Sequence, residues 1–195
     1  MASPSESSFS GAPLRRALFV DRDGTLNPDL RYLKEADRLE LCRGVGDALS
    51  LAHDHGYFVV CVTNQSGVER GFYRPEDVER IHVRLNELLR PYRARVDAFY
   101  YCPHAPDRGC ECRKPGTGLF DQARRDWNID FATSAVVGDR DLDIDAGRKL
   151  GLLTALVPPY GHAEELRSDV DERGRRPDIR ADSFPSAVGR ILARG

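Results

Sequence analysis

The run Ala17-Leu18-Phe19-Val20 is apolar at every position. Four more runs of strand length follow, at residues 57–63, 96–101, 135–138 and 153–157. They are rich in Val, Phe, Tyr and Ala, and none alternates apolar with polar. A strand with one wet face alternates; a strand covered on both faces does not. Helical patterns lie between the runs. Residues 45–55 end at Gly56, a good helix stop. Residues 75–90 start with Pro75, Glu76 and Asp77 and carry the stripe Val78, Ile81, Leu85, Leu88, Leu89. Further helices are predicted over 117–127, 141–150 and 185–193. This alternation implies an α/β fold: a central parallel sheet with helices on both faces, three layers in all.

The chain has 195 residues, a net charge of −2 and a pI near 6.2. One domain over residues 14–195 accommodates that length. The charge gives no electrostatic reason to expect nucleic acid or an anionic membrane surface as a partner. No apolar run approaches the roughly 20 residues of a membrane span. Residues 1–13 are rich in Ser, Pro, Gly and Ala and lack the pattern of a secretory signal. We read them as a disordered tail and expect a cytoplasmic monomer. The highly charged residues 162–177 are expected to form an exposed loop or frayed helix. His53 and His55, near a helix end, read as surface residues favoured by the helix dipole. His82 and Cys61 read as packing, and Cys42 has no assignable role.

Ligands of open parallel sheets bind beyond the carboxyl ends of the strands. The first predicted strand delivers Asp21-Arg22-Asp23-Gly24-Thr25-Leu26-Asn27, with two carboxylates one residue apart. Such acids repel and are costly to desolvate. The second delivers Thr63, Asn64 and Gln65, and the third leads through a cysteine-rich loop to Arg113 and Lys114. The fourth delivers Asp139, Arg140, Asp141 and Asp143. Several acids at one edge suit a hard cation such as Mg²⁺. A hydroxyl, amides and a lysine suit a phosphate. A calcium loop starting at Asp139 is excluded, because its sixth position is Ile144 and its twelfth Leu150.

Cys102, His104, Cys110 and Cys112 supply three thiols and one imidazole within eleven positions. That is a complete tetrahedral set for a structural Zn²⁺. A redox pair or free thiols is the alternative.

Asp-x-Asp-Gly-Thr at Asp21, Thr-Asn-Gln at Thr63, Lys114 before Pro115-Gly116, and Gly-Asp-x-x-x-Asp at Gly138 resemble the four motifs of the haloacid dehalogenase (HAD) phosphohydrolases. The resemblance covers about residues 18–157. Within that superfamily, residues 21–27, 63–71 and 101–115 look like the branch acting on heptose bisphosphate and histidinol phosphate.

The resemblance implies a Rossmann-like HAD fold. Asp21 would be the nucleophile and Asp23 the general acid, then base, with a raised pKa or a shared proton. The Asp21 and Asp139 carboxylates and the Asp23 carbonyl would hold Mg²⁺. Thr63, Lys114 and the neighbouring Asn64, Gln65 and Arg113 would bind the substrate's phosphates. Asp143, with Arg140 beside it, would be secondary, holding Lys114 or a metal-bound water. The branch also carries a Cys-x-His…Cys-x-Cys zinc site, matching the loop at Cys102.

Only 42 positions separate Asp21 from Thr63 and 51 separate Thr63 from Lys114. No cap domain fits, so specificity would fall to three loops, at residues 27–35, 65–73 and 105–114. Residues 64–68 with Arg70-Gly71, and residues 100–104, resemble the heptose-bisphosphate enzymes. The five-residue gap between His104 and Cys110, and Arg140 after Asp139, resemble the histidinol-phosphate type. We favour the heptose bisphosphate as substrate, with histidinol phosphate as the alternative, and Arg113 and Arg70 as candidates for the second phosphate of the bisphosphate. An idle, zinc-clasped interaction domain is the remote alternative, and the presence of Asp21, Asp23 and Lys114 argues against it.

Overall fold

A computed structural model describes residues 13–161 and 176–194. The tail expected over 1–13, save Pro13, and the charged residues 162–177, save the last two, lie outside the described residues. The first strand, β1 (Ala17–Val20), lies at the centre of a parallel sheet. On one side are β2 (Phe58–Asn64) and then β3 (Ala98–Cys102). On the other are β4 (Ala135–Gly138), β5 (Leu153–Leu156) and the short β6 (Ile179–Arg180). The chain thus winds outward through β2 and β3, then crosses back over β1 to β4. That reversal opens a crevice beyond the carboxyl ends of β1, β2 and β4.

The unbroken apolar runs are explained by burial on two sides. Leu18 and Val20 of β1 join a core with α1 (Val45–Asp54), α2 (Pro75–Leu89) and α5 (Phe184–Leu192). Ala17 and Phe19 face the opposite core, formed with α3 (Gly118–Trp127) and α4 (Asp141–Lys149). The Phe19 ring sits 5.0 Å from that of Phe120. Truncating such a side chain to alanine costs about 3–5 kcal/mol, so this layer is rigid backing for Asp21. The α/β/α sandwich and the five predicted strands and helices are therefore present, with ends shifted by one or two residues.

Two shifts have visible causes. Predicted to begin at residue 96, β3 begins at Ala98. The Asn86 amide of α2 occupies both backbone groups of Val96, at 3.0 and 2.7 Å. The Asp97 carboxylate accepts from Val59 N at 2.8 Å. Asp97 also corrects the reading of His53, whose Nε2 lies 3.0 Å from it; this histidine is tied to β3 rather than free at the surface. The strand β6 was not anticipated. It is two residues long and is pinned to β5 by Asp178, which accepts from Thr154 N and Oγ1 at 2.8 and 2.7 Å.

No cap domain lies between the described strands. The interval after β1 holds α1 and a short helical turn (Ala36–Arg38), and that after β2 holds α2. Among the described residues no helix is long and apolar enough to cross a membrane.

Candidate active site

Asp21 follows β1 directly, and its N–H donates to Val137 O of β4 at 3.1 Å. Its carboxylate meets Lys114, which comes from beyond β3. Lys114 Nζ donates to Asp21 Oδ1 at 2.8 Å, to Asp143 Oδ1 at 2.6 Å and to Val62 O at 2.6 Å. All three ammonium donors are thus used. Burial alone would lower the lysine pKa, but Asp143 and Asp21 hold it above the usual range. Asp143 therefore takes the first of its two expected roles, holding Lys114.

Asp139, at the end of β4, accepts from Thr25 Oγ1 at 3.3 Å, while its buried Oδ2 lies 3.8 Å from Arg140 Nε and accepts no hydrogen bond among the described residues. Burial, then the charges of Asp21 and Asp143, push its carboxyl up to about 8. Burial also raises Asp143, to about 6, against the pull of Lys114. Oxygens of Asp21, Asp139 and Asp143 lie within 4.8 Å of one another. Lys114, with the half-exposed Arg140 guanidinium that Asp139 shares with Asp29, is too little positive charge for three buried acids. The backbone makes room for this cluster at Gly24. Its φ is 88°, and a Cβ there would sit 2.5 Å from Asp139 Oδ2.

Asp23 is held by three side chains. Arg22 Nη2 donates to Oδ2 at 2.8 Å, Asn27 Nδ2 to Oδ1 at 2.9 Å and Gln65 Nε2 to Oδ2 at 2.8 Å. Burial would raise its pKa, but the Arg22 charge and these hydrogen bonds hold it below the usual carboxylate range. Arg22 itself is 1% exposed, and its guanidinium hydrogen-bonds only to Asp23 among the described residues.

Asn64 and Gln65 line the cavity, and their amides are also bonded within the protein. Asn64 Oδ1 accepts from Lys114 N at 3.1 Å and its Nδ2 donates to Lys114 O at 3.2 Å. It clamps the lysine's backbone. Gln65 bridges Asp23 and Thr63, and its Oε1 accepts from the Tyr73 hydroxyl at 2.6 Å. Thr63 lines the cavity, as does Arg113, whose Nη1 donates to His104 O at 3.2 Å. Arg140 pairs with Asp29 at 2.9 Å. Arg70 does not line the cavity; it donates to the Tyr32 hydroxyl at 2.9 Å.

The cavity over these residues measures about 420 Å³. Its outer walls include Asp29, Arg31 and Tyr32, then Ser66 and Tyr73, then Arg113. These come from the three loops expected to set specificity. The third loop carries Cys102, His104, Cys110 and Cys112, whose donor atoms all lie within 4.8 Å of one another. Cys112 Sγ is 3.3 Å from Cys102 Sγ, 3.4 Å from Cys110 Sγ and 3.1 Å from His104 Nδ1. That is the compact arrangement four ligands of one tetrahedral metal require.

A family model described as HAD-hydrolase-like matches residues 111–187. The D-glycero-beta-D-manno-heptose-1,7-bisphosphate 7-phosphatase of Haemophilus ducreyi is 40% identical over 76% of this chain and 86% of its own. The D-glycero-D-manno-heptose-1,7-bisphosphate 7-phosphatase of Chlorobaculum tepidum is 36% identical over 92% of this chain and 96% of its own. The chain belongs to this family of HAD phosphatases. The fold agrees: the structure of D,D-heptose 1,7-bisphosphate phosphatase from B. bronchiseptica, complexed with magnesium and phosphate, superposes with a TM-score of 0.79 at 29% identity. That match covers 92% of this chain and 99% of the other.

Within this phosphatase site, sequence reading missed Arg22, Asn27 and Tyr73. The first two lie within Asp21–Asn27, where an Arg between acids and an Asn four residues after Asp23 were available signals. Tyr73 had none beyond its place in a specificity loop.

Proposed function

We propose that this protein removes the 7-phosphate of D-glycero-D-manno-heptose 1,7-bisphosphate through an aspartyl-phosphate at Asp21. The observation that carries the chemistry is the Asp21–Lys114–Asp143 bridge beside a buried Asp139 oxygen that accepts no hydrogen bond among the described residues. It puts a nucleophile, a phosphate-binding cation and a cation-hungry cluster at one point. The relatives' substrate supports the choice of sugar.

The Asp21 and Asp139 carboxylates, with the Asp23 carbonyl, fit Mg²⁺. They are hard oxygen donors with an excess of buried negative charge. Bound there, Mg²⁺ would offset the repulsion between these acids and a phosphate ester. Asp21 attacks phosphorus in line, and the bond from phosphorus to the sugar oxygen breaks. Lys114 and the Thr63 hydroxyl bind the phosphoryl oxygens, whose charge needs stabilising as it redistributes. Asp23, held below the usual carboxylate range in the free protein, takes up a proton from solvent as the incoming phosphoryl charge repels its own and raises its pKa. It passes that proton to the leaving alkoxide. It then takes a proton from the water that hydrolyses the aspartyl-phosphate.

Cys102, His104, Cys110 and Cys112 fit a structural Zn²⁺, because four protein ligands leave no open position. Gln65 N donates to Cys102 O at 2.7 Å and Glu69 N to Pro103 O at 3.1 Å. The clasp would therefore fix two loops of the site at once. A single domain over 14–195, acting as a monomer in the cytoplasm, completes this reading.

The test is phosphate release, with Mg²⁺, from the two anomers of heptose 1,7-bisphosphate and from histidinol phosphate. The heptose should rank first. Turnover of histidinol phosphate alone would overturn the substrate, and silence on all three would overturn the function. Asp21→Asn should abolish release while circular dichroism stays unchanged.

A further inference from the structure

The loop that leaves Asn27 passes through two consecutive residues in the left-handed region, Arg31 at φ 47° and Tyr32 at φ 57°. Glycine adopts that conformation without penalty, and arginine and tyrosine do not. The surroundings hold the turn in place. Asp29 Oδ1 accepts from Arg31 N at 2.9 Å, and Asp29 Oδ2 accepts from Arg140 Nη2 at 2.9 Å. The Tyr32 hydroxyl accepts from Arg70, and its ring meets Phe72 edge-on at 4.5 Å. The result is that Arg31 lines the catalytic cavity.

Four cations line that cavity, and they differ in what they have left to offer. Lys114 is shared by Asp21 and Asp143. Arg140 is paired with Asp29. Arg113 has given one nitrogen to His104 O and keeps the rest of its fork. The Arg31 guanidinium is exposed and makes no hydrogen bond or ion pair among the described residues. A glycine would relieve the backbone strain at this position. What arginine adds there is a planar, permanently charged donor fork that suits a phosphate.

We propose that Arg31 is a specificity residue, binding with Arg113 the phosphate of a sugar bisphosphate that is not transferred. This rests on the phosphatase reading above and deepens it. The transferred phosphoryl group belongs at the strand ends, with Asp21, Thr63 and Lys114. Arg31 stands on the loop beyond them, where the far end of a bisphosphate projects in a site with no cap. A monophosphate leaves it without a partner.

The experiment compares kcat/KM for heptose 1,7-bisphosphate with that for heptose 7-phosphate. Wild-type protein should prefer the bisphosphate. In Arg31→Gln that preference should fall about tenfold, the usual effect of losing one charge-assisted contact. Arg31→Gly should behave likewise although it relaxes the backbone, and Arg31→Lys should restore part of the preference. An unchanged ratio in both Arg31→Gln and Arg31→Gly would overturn the assignment, as would a wild type indifferent to the second phosphate. A wild type inactive on the bisphosphate would instead overturn the phosphatase reading, and this assignment with it.

Discussion

The ammonium of Lys114 and the carboxylate of Asp21 lie 2.8 Å apart, 93 residues apart in sequence. The pair joins the loop after β3 to the end of β1. Asp143 completes the bridge from α4, so three strand ends converge on one nitrogen. Lys114 is 4% exposed, and its charge is not diluted by solvent.

Replacing Lys114 with Met should therefore do two things. It removes the cation beside the transferring phosphoryl group, lowering kcat by about 10²–10³. It also leaves Asp21 and Asp143 buried without a cation bonded to either, costing about 3–5 kcal/mol in metal-free protein. Steady-state kinetics and denaturant unfolding measure the two separately. A Lys114→Met protein of wild-type stability would mean the acids are protonated rather than bridged.

The same lysine stands two residues after Cys112, so the cysteine cluster should govern catalysis without touching substrate. Elemental analysis should find about one zinc per chain. Cys112→Ser should release the metal and lower kcat/KM by at least about 10², because a small misplacement of Lys114 is enough. The sheet should survive, since Cys112 packs only at the margin of one core and serine nearly preserves its volume, and far-UV circular dichroism should change little. Full activity without zinc would remove the clasp from the account.

The three acids predict how pH acts on the metal-free protein. Asp139 and Asp143 are raised to about 8 and about 6, from the ordinary carboxyl value of 3.8. Between those limits the folded chain holds protons that the unfolded chain has released. Stability of the metal-free protein should therefore fall as pH rises from about 4 to about 8. The lowered Asp23 acts the other way, but only below the ordinary carboxyl value. Mg²⁺ competes with those protons, so it should raise Tm more at pH 8 than at pH 5.5. Thermal melts with and without Mg²⁺ at both pH values decide this; a larger shift at pH 5.5 would contradict the raised values.

How much of this could be read from the sequence depends on what each residue answers to. The strands β1, β2 and β4 were legible because burial on both faces leaves an unbroken apolar run, and β3 and β5, though partly half-buried, kept apolar runs long enough to read. At two residues, β6 is too short to carry a pattern. Asp21, Lys114, Asp139 and Asp143 were legible because each follows a strand and must face the crevice. Asn64 and Gln65 occupy equally telling positions, yet their amides turn inward, to the Lys114 backbone and to Asp23. Residue type gives an amide's capacity for hydrogen bonds but not its direction. Arg22 was opaque for the same reason. A guanidinium between two acids reads as a solvated charge until the fold encloses it.

Gly24 offers the sharpest separation of strain from site geometry. Its φ of 88° strains any other residue, and a Cβ would also sit 2.5 Å from Asp139 Oδ2. Gly151 has a φ of 72°, but nothing lies within 4 Å of a Cβ built there. Alanine at either position should cost about 1–3 kcal/mol of stability through the backbone. Only Gly24→Ala should also displace Asp139. It should lower kcat by at least about 10² and weaken Mg²⁺ activation, while Gly151→Ala keeps both. Titrating Mg²⁺ into each variant during phosphate release separates the two effects. Equal kinetic losses would trace the need for glycine at position 24 to the turn alone; a loss confined to Gly24→Ala would trace it to the close approach of Asp139.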